Sequence, residues 1–362
     1  MEIVALEIIR HLQKLNQPYH FIIFAKKGTD SDCIQETVNF SINKTPAKPY
    51  PIWEQFFLPK IARKNKLDIL HCTSNTAPIF CKSPLIITLH DIIFLEKLDF
   101  SGSSYQNFGN LYRRFIVPRV AKNARLIITV SDFSRKLIMQ KLNIPPQKIK
   151  VIYNGVSELY KKINEENGIA EFRKKYNLPA HFFLHFGNTA PRKNTLGTLK
   201  AYILLSKKTP DTWPLVITSC QREYLISLLK KIDAPEYINK VLCLDYIAAD
   251  ELPYLYNAAS IFLYPSLNEG FGMPVIEAMA CGTPVITSNI SCLPEIAGDA
   301  AVLIDPYNTT EIAAKMKELA QSNEMYFEKQ QLGLRNAERF SWKIAAEKTL
   351  SVYNEVLNNA SN

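Results

Sequence analysis

The chain has 362 residues, 47% of them apolar, which is enough for large cores and suggests two domains. No apolar run approaches the roughly 20 residues of a membrane-spanning helix, and nothing at the N-terminus reads as a signal peptide, so the expectation is a soluble, cytoplasmic protein. The net charge of +9 is uneven: residues 1–150 carry 22 Lys and Arg against 11 Asp and Glu, net +11, while residues 151–362 carry 21 against 23, net −2.

A basic N-terminal half suggests a polyanionic partner, either anionic lipid headgroups at the inner face of a membrane or a phosphorylated acceptor. Nucleic acid is disfavoured, because zinc-finger spacing, basic-zipper heptads and RNP-type aromatic strands are all absent. Seven cysteines lie at 33, 72, 81, 220, 243, 281 and 292, with no metal-ligand spacing, and read as reduced core thiols.

Residues 1–16 read as an amphipathic helix with Ile3, Ala5, Leu6, Ile9, Leu12 and Leu15 on its apolar face. His20–Phe24 follows as a buried strand. A doubly wound domain normally opens on a strand and a glycine-rich turn, so the expectation is that this first strand would precede Met1 and that one sheet lacks a central strand. Trp53–Asn65 reads as a helix with Lys60, Arg63 and Lys64 on it. Asp68–His71 and Leu85–Leu89 read as strands, the second ending in His90-Asp91. A long helix, about 105–123, carries Arg113, Arg114, Arg119 and Lys122. Arg125–Val130 is a strand, and Ser131 is the N-cap of the next helix. Lys150–Tyr153 is a strand running into Asn154-Gly155.

That Asn-Gly and the polar run to Asn167 mark a domain boundary, giving a first domain over 1–155 and a second over 156–340. The alternation then restarts with strands at His181–Phe186, Leu215–Thr218, Val241–Leu244, Ile261–Pro265, Pro284–Thr287 and Ala301–Ile304. Helices are expected at about 194–205, 223–231, 251–258, 309–321, 324–338 and 342–357, the last, within 341–362, folding back on the first domain. Strands alternating with helices imply parallel sheets. The fold class is therefore α/β, with two doubly wound, Rossmann-like domains.

The candidate chemistry sits at carboxyl ends of strands. Residues 269–277 read Glu-Gly-Phe-Gly-Met-Pro-Val-Ile-Glu between a strand and a short helix, so bare amides and a helix start lie between two glutamates. Amides can hold phosphate or sugar oxygens, and the carboxylates can accept from sugar hydroxyls. The plainer alternative is a glycine-rich turn with two solvated glutamates. Arg192-Lys193 follows a strand and Gly187 and opens a helix, suiting a pyrophosphate clamp; an exposed basic pair is the alternative. His90 can polarise a substrate group, with Asp91 either orienting the imidazole or capping a turn. Ser131 and Ser134 either bind an anion or simply cap their helix. Asp30-Ser31-Asp32 resembles the Asp-x-Asp of metal-dependent sugar transferases but follows no hydrophobic strand, so it reads as a polar loop. His181 and His185 lie on a strand, not a helix, and are not a zinc pair. Nucleophile-elbow and Walker lysine motifs are absent.

Taken in order, Thr88-Leu89-His90-Asp91, Val130–Ser134, Val151–Val156, Gly187 with Pro191–Asn194, Glu269 with Glu277, and Phe340-Ser341-Trp342 resemble glycosyltransferase family 4, retaining nucleotide-sugar transferases of the GT-B fold, in which two Rossmann-like domains face across a cleft. The resemblance implies a catalytic set of His90, Arg192, Lys193 and Glu269. It implies donor binding by Gly187, Arg192, Lys193, Glu269, Gly270, Phe271, Gly272, Met273 and Glu277, with Glu277 on the ribose. Asp91 and Ser131 fall on the acceptor or phosphate side. No metal or other cofactor is implied, the two cations standing in for one. The form of the motifs is most like bacterial mannosyltransferases of surface polysaccharide. That implies GDP-mannose as donor and a glycan or lipid-linked acceptor, with peripheral contact to an anionic membrane. Absence of the family's first glycine-rich loop raises the alternative of a sugar-nucleotide-binding GT-B protein without activity. An epimerase or phosphorylase of the same fold is disfavoured by the ordered motifs.

Overall fold

The computed structural model describes residues 2–26, 33–45, 48–96 and 104–359. Asp30–Asp32 lies outside the described residues. The chain divides into two compact units, the first made of Met1–Gly155 with Ser341–Asn362 and the second of Val156–Phe340.

The first unit opens on helix α1 (Glu2–Lys14) and strands β1 (Phe21–Lys26) and β2 (Phe40–Thr45). β2 was not expected from the sequence, because only Phe40 and Ile42 are apolar in it. It forms a two-stranded parallel sheet with β1, Phe21 opposite Phe40. The helix expected at Trp53–Asn65 is not uniform. A short turn α2 (Tyr50–Ile52) leads into a π-helical turn, Trp53–Phe57, and then α3 (Leu58–Lys64). Pro59 has no N–H to give to Gln55, so the ladder widens, and Leu58 N–H reaches back five residues to the Trp53 carbonyl.

The second sheet of this unit is parallel with strictly sequential order: β3 (Leu70–Cys72), β4 (Leu85–Leu89), β5 (Leu126–Thr129) and β6 (Ile149–Val151). Helix α4 (Ser104–Asn123) connects β4 to β5, and α5 (Asp132–Leu142) connects β5 to β6. The uninterrupted apolar runs of β4 and β5 are buried at every position, as expected for strands covered on both faces.

The second unit begins with α6 (Glu166–Lys175), a helix within what the sequence showed as a polar run. Its sheet contains β7 (Phe183–Phe186), β8 (Leu215–Thr218), β9 (Val241–Cys243), β10 (Ile261–Tyr264), β11 (Val285–Ser288) and β12 (Ala301–Ile304). The spatial order is β12-β11-β10-β7-β8-β9, all parallel. The connecting helices are α7 (Thr195–Lys208), α8 (Arg222–Lys230), α9 (Leu252–Ala258), α10 (Met273–Ala280) and α11 (Leu293–Ala297), followed by α12 (Thr309–Gln321) and α13 (Asn323–Ala337). The chain runs outward from β7 in one direction through β8 and β9, then returns to the other side of β7 with β10. β7 and β10 therefore flank the topological switch point, where doubly wound sheets leave a crevice for ligands.

Helix α14 (Trp342–Asn358) closes the first unit. Its Ser341 N-cap accepts from Ile344 N–H. Tyr353 on α14 contacts both sheets of that unit: its ring lies 6.1 Å from Phe21 of β1 and 5.6 Å from His71 of β3. Gly155 packs so tightly on α14 that a Cβ there would fall 2.2 Å from the Trp342 backbone nitrogen. Gly155→Ala should therefore cost the first unit about 1–3 kcal/mol through forced overpacking, read as a lower midpoint in urea unfolding. An unchanged midpoint would contradict this packing.

Candidate active site

In the second unit, the segments following β7 and β10 come together. Gly187 N–H donates to the Thr218 carbonyl. A Cβ on Gly187 would come within 2.7 Å of both Ile217 and Cys220, so glycine is needed there for close packing. Arg192 and Lys193 sit on a 3₁₀ turn, Pro191–Lys193, just ahead of α7. Asn194 adopts a left-handed conformation at φ 57° and donates to the Pro265 and Pro306 carbonyls. Leu267 N–H donates to the Arg192 carbonyl. These bonds stitch the two post-strand segments together and explain why the cations face the loop after β10.

Glu269 is 8% exposed and takes both cations. Its Oε1 lies 2.7 Å from Lys193 Nζ and its Oε2 lies 3.0 Å from Arg192 Nη1. The Tyr264 hydroxyl, at the buried end of β10, donates to the same Oε1 at 2.9 Å and lies 2.6 Å from Lys193 Nζ. Burial would raise the Glu269 pKa, but the ion pairs with Lys193 and Arg192 outweigh it and hold it below the ordinary value. Burial also lowers the Lys193 pKa, partly offset by Glu269. The plainer sequence alternatives, solvated glutamates and a free basic pair, do not hold for these three residues. They form one buried cluster of net charge +1.

Gly272 is the N-cap of α10 with φ 94°, and a side chain there would meet Leu293 at 2.8 Å. Met273 opens the helix and Pro274, which has no N–H, comes next. Phe271 is buried, with its ring edge-on to Phe340 at 5.7 Å, so its side chain serves the core. Gly270 lies on the turn between Glu269 and Phe271. Glu277, one turn into α10, accepts from Tyr256 OH at 2.9 Å. Burial pushes its pKa up to about 7 against the opposing Tyr256 bond. Tyr160 packs edge-on to Tyr256 with ring centroids 5.9 Å apart. Tyr256 and Tyr264 carried no sequence signal beyond apolar periodicity, and Tyr160 sat in the presumed linker. A cleft of about 760 Å³ in this unit, bordered by Asn177, Tyr202, Ser206 and Lys240, contains none of these residues.

In the first unit, His90 is 7% exposed at the end of β4. Its Nε2 lies 2.8 Å from the Thr73 carbonyl, and its backbone N–H donates to Asn75 Oδ1 at 2.7 Å. Burial lowers its pKa, so the imidazole is neutral and Nε2–H donates to Thr73. Asp91 does not orient the ring: its Oδ1 accepts from Ile93 N–H, so it caps the turn. Ser131 is fully buried and caps α5 by accepting from Ser134 N–H. Sequence reasoning missed the group that sets the His90 pocket. Glu54, 1% exposed on the π turn, accepts from Thr76, Tyr50 and Tyr112 hydroxyls and from Gln55 Nε2 at 2.6–3.0 Å. Thr76 adjoins Asn75, the residue clamped on His90.

A doubly wound parallel sheet in a chain with a second parallel α/β unit is the architecture of the GT-B fold. Residues 1–158 match the description "Glycosyltransferase Family 4" and residues 168–334 match "Glycosyl transferases group 1". The chain belongs to glycosyltransferase family 4. It is similar to the O-antigen chain mannosyltransferase B of Escherichia coli, at 34% identity over 64% of this chain and 61% of that protein. It is also similar to the O-antigen chain mannosyltransferase RfbU of Salmonella typhimurium, at 31% identity over 70% of this chain and 65% of that protein. The chain thus spans less than two thirds of each of these relatives. Among solved structures, the Anabaena Alr3699/HepE complex with UDP-glucose superposes with a TM-score of 0.73 at 19% identity, covering 98% of this chain and 95% of that one.

Two outcomes follow from this geometry. Lys193→Met should destabilise the second unit by about 2 kcal/mol, because Glu269 keeps only part of its compensation; Lys193→Met with Glu269→Gln should recover much of that in urea unfolding. Glu277 has a folded pKa of about 7, above the ordinary 4.5. The stability carried by its neutral form is full below about pH 4.5 and is lost as pH rises through 7. Glu277→Gln should therefore gain stability over the wild type as pH increases from 4 to 8, and parallel pH profiles would contradict the assignment.

Proposed function

We propose that this protein transfers a hexose, mannose from GDP-mannose, to a glycan or lipid-linked acceptor in surface polysaccharide synthesis. The observation that carries this reading is the convergence of Arg192, Lys193 and Glu269 at the β7/β10 switch point. A net positive, partly exposed cluster beside a glycine turn suits a diphosphate. Arg192 is the more exposed cation, at 38% of its side chain against 17% for Lys193. In this mechanism it turns from Glu269 to the diphosphate, while Lys193, held by Tyr264, keeps Glu269 ionised and aimed at the donor sugar. The cations then stabilise negative charge as the nucleoside diphosphate leaves, the work a metal does in other transferases.

Glu277 accepts from the ribose hydroxyls, and the backbone of Gly270, Phe271 and Gly272 borders the sugar. His90 is assigned to the transfer step and not to nucleotide affinity, with Asp91 supporting its segment as a turn cap. The leaving phosphate accepts the acceptor's proton on the face it departs from, giving retention without the carboxylate pair that hydrolases use. The mannosyl donor is supported by the two O-antigen mannosyltransferases to which the chain is similar.

Titration calorimetry with GDP and UDP tests the donor site directly. GDP should bind more tightly than UDP, and Arg192→Ala and Glu277→Ala should each weaken GDP about tenfold or more. His90→Ala should lower transfer from GDP-mannose with GDP affinity unchanged. Unchanged GDP affinity in Arg192→Ala would overturn the donor assignment; tight GDP binding with no transfer to any glycan acceptor would favour a nucleotide-sugar-binding role.

A further inference from the structure

One short segment just after β3, residues 73–76, holds His90 at two points. The Thr73 carbonyl lies 2.8 Å from Nε2, and Asn75 Oδ1 accepts from the His90 backbone N–H at 2.7 Å. With Nε2–H committed to Thr73, Nδ1 is the accepting nitrogen of the neutral ring. The segment does not keep this shape unaided. Asn75 is 2% exposed and left-handed at φ 60°, a conformation that a residue with a Cβ holds only when its surroundings enforce it. Its N–H donates to the Thr88 carbonyl, which ties one side of the segment to β4.

The π turn Trp53–Phe57 ties the other side. Thr76 Oγ1 donates to Glu54 Oε1 at 2.6 Å, and the Tyr50 hydroxyl donates to the same oxygen at 2.7 Å. Oε2 accepts from the Tyr112 hydroxyl and from Gln55 Nε2. Gln55 extends the clasp, with Nε2 donating to the Ala77 carbonyl and Oε1 accepting from Ile79 N–H. π turns are rare and recur at functional sites. This one points two consecutive polar side chains at the stretch that clamps His90. Both Glu54 oxygens accept, as a carboxylate can and an amide cannot. A glutamine there would turn an NH2 group toward donors.

We propose that Glu54 is a positioning residue for the transfer step: through Thr76 it holds residues 73–76 so that His90 keeps one tautomer and one ring orientation. Glu54 is 1% exposed and touches no solvent-facing chemistry itself, so it acts only through the segment. The inference rests on the assignment of His90 to transfer, but the tautomer is measured without donor or acceptor. A staple that served the fold alone would change stability and leave the ring as it is.

The test is nitrogen NMR of the full chain labelled at histidine, with the His90 signals assigned from His90→Asn, alongside transfer kinetics. The wild type should show a single His90 form with Nε2 protonated. Thr76→Val cuts the link while Glu54 keeps its other three donors. It should mix the two tautomers and lower kcat from GDP-mannose about tenfold or more, with KM and GDP affinity unchanged. Thr76→Ser, which restores the hydroxyl, should recover both the single form and the rate. Glu54→Gln should behave as Thr76→Val and supplies a second variant if that one folds poorly. A folded Thr76→Val or Glu54→Gln with wild-type His90 signals would overturn the proposal, even if its thermal midpoint fell. So would a loss of rate that Thr76→Ser does not recover. A wild type without transfer activity would remove the transferase reading, and the His90 signals would still decide whether Glu54 sets the ring.

Discussion

The structure of the second unit depends on one buried carboxylate that cannot stay charged alone. Glu269 lies on the loop after a fully buried strand, where burial raises its pKa and Lys193, Arg192 and the Tyr264 hydroxyl bring it back down. Both cations come from a turn after a different strand, and Asn194 holds that turn in place with two bonds to carbonyls beyond β10 and β12. The ion pairs therefore fix the geometry of the switch point as well as its charge. Removing the carboxylate would leave two adjacent cations, and removing a cation would leave a buried anion short of a partner.

The first unit shows the same logic with neutral donors. Glu54 is buried and, among the described residues, is satisfied by three hydroxyls and an amide rather than by a cation. Its bond to Thr76 fastens the segment whose Asn75 holds the His90 backbone and whose Thr73 carbonyl fixes the His90 tautomer. His90 is thus a neutral, rigidly oriented imidazole, and His71 nearby is likewise lowered, to about 4, by burial and then by His90. Both line a small cavity of about 30 Å³, room for one water.

Much of the architecture was legible in the sequence. Leu85–Leu89, Leu215–Thr218 and Ala301–Ile304 are strands over the residues expected, because buried parallel strands read as continuous apolar runs. β2 was not legible, since it is half polar and draws its stability from pairing with β1. α6 was hidden by its charged composition, and the π turn by a proline whose effect depends on a neighbouring carbonyl. At the site, Arg192, Lys193, Glu269 and Glu277 stood out by charge next to glycine turns. Their mutual bonds did not, because residues some 76 positions apart meet only through the strand order. Glu54, Tyr160, Tyr256 and Tyr264 were illegible for a related reason: a buried glutamate or tyrosine looks like any other until its partners are known.

The most direct measurement of the central claim is a crystal structure of the chain with GDP bound. The diphosphate oxygens should lie within hydrogen-bond distance of Arg192, with the Arg192–Glu269 pair opened, the Lys193–Glu269 pair kept, and the ribose on Glu277. A diphosphate bound elsewhere, with Arg192 still paired to Glu269, would contradict it.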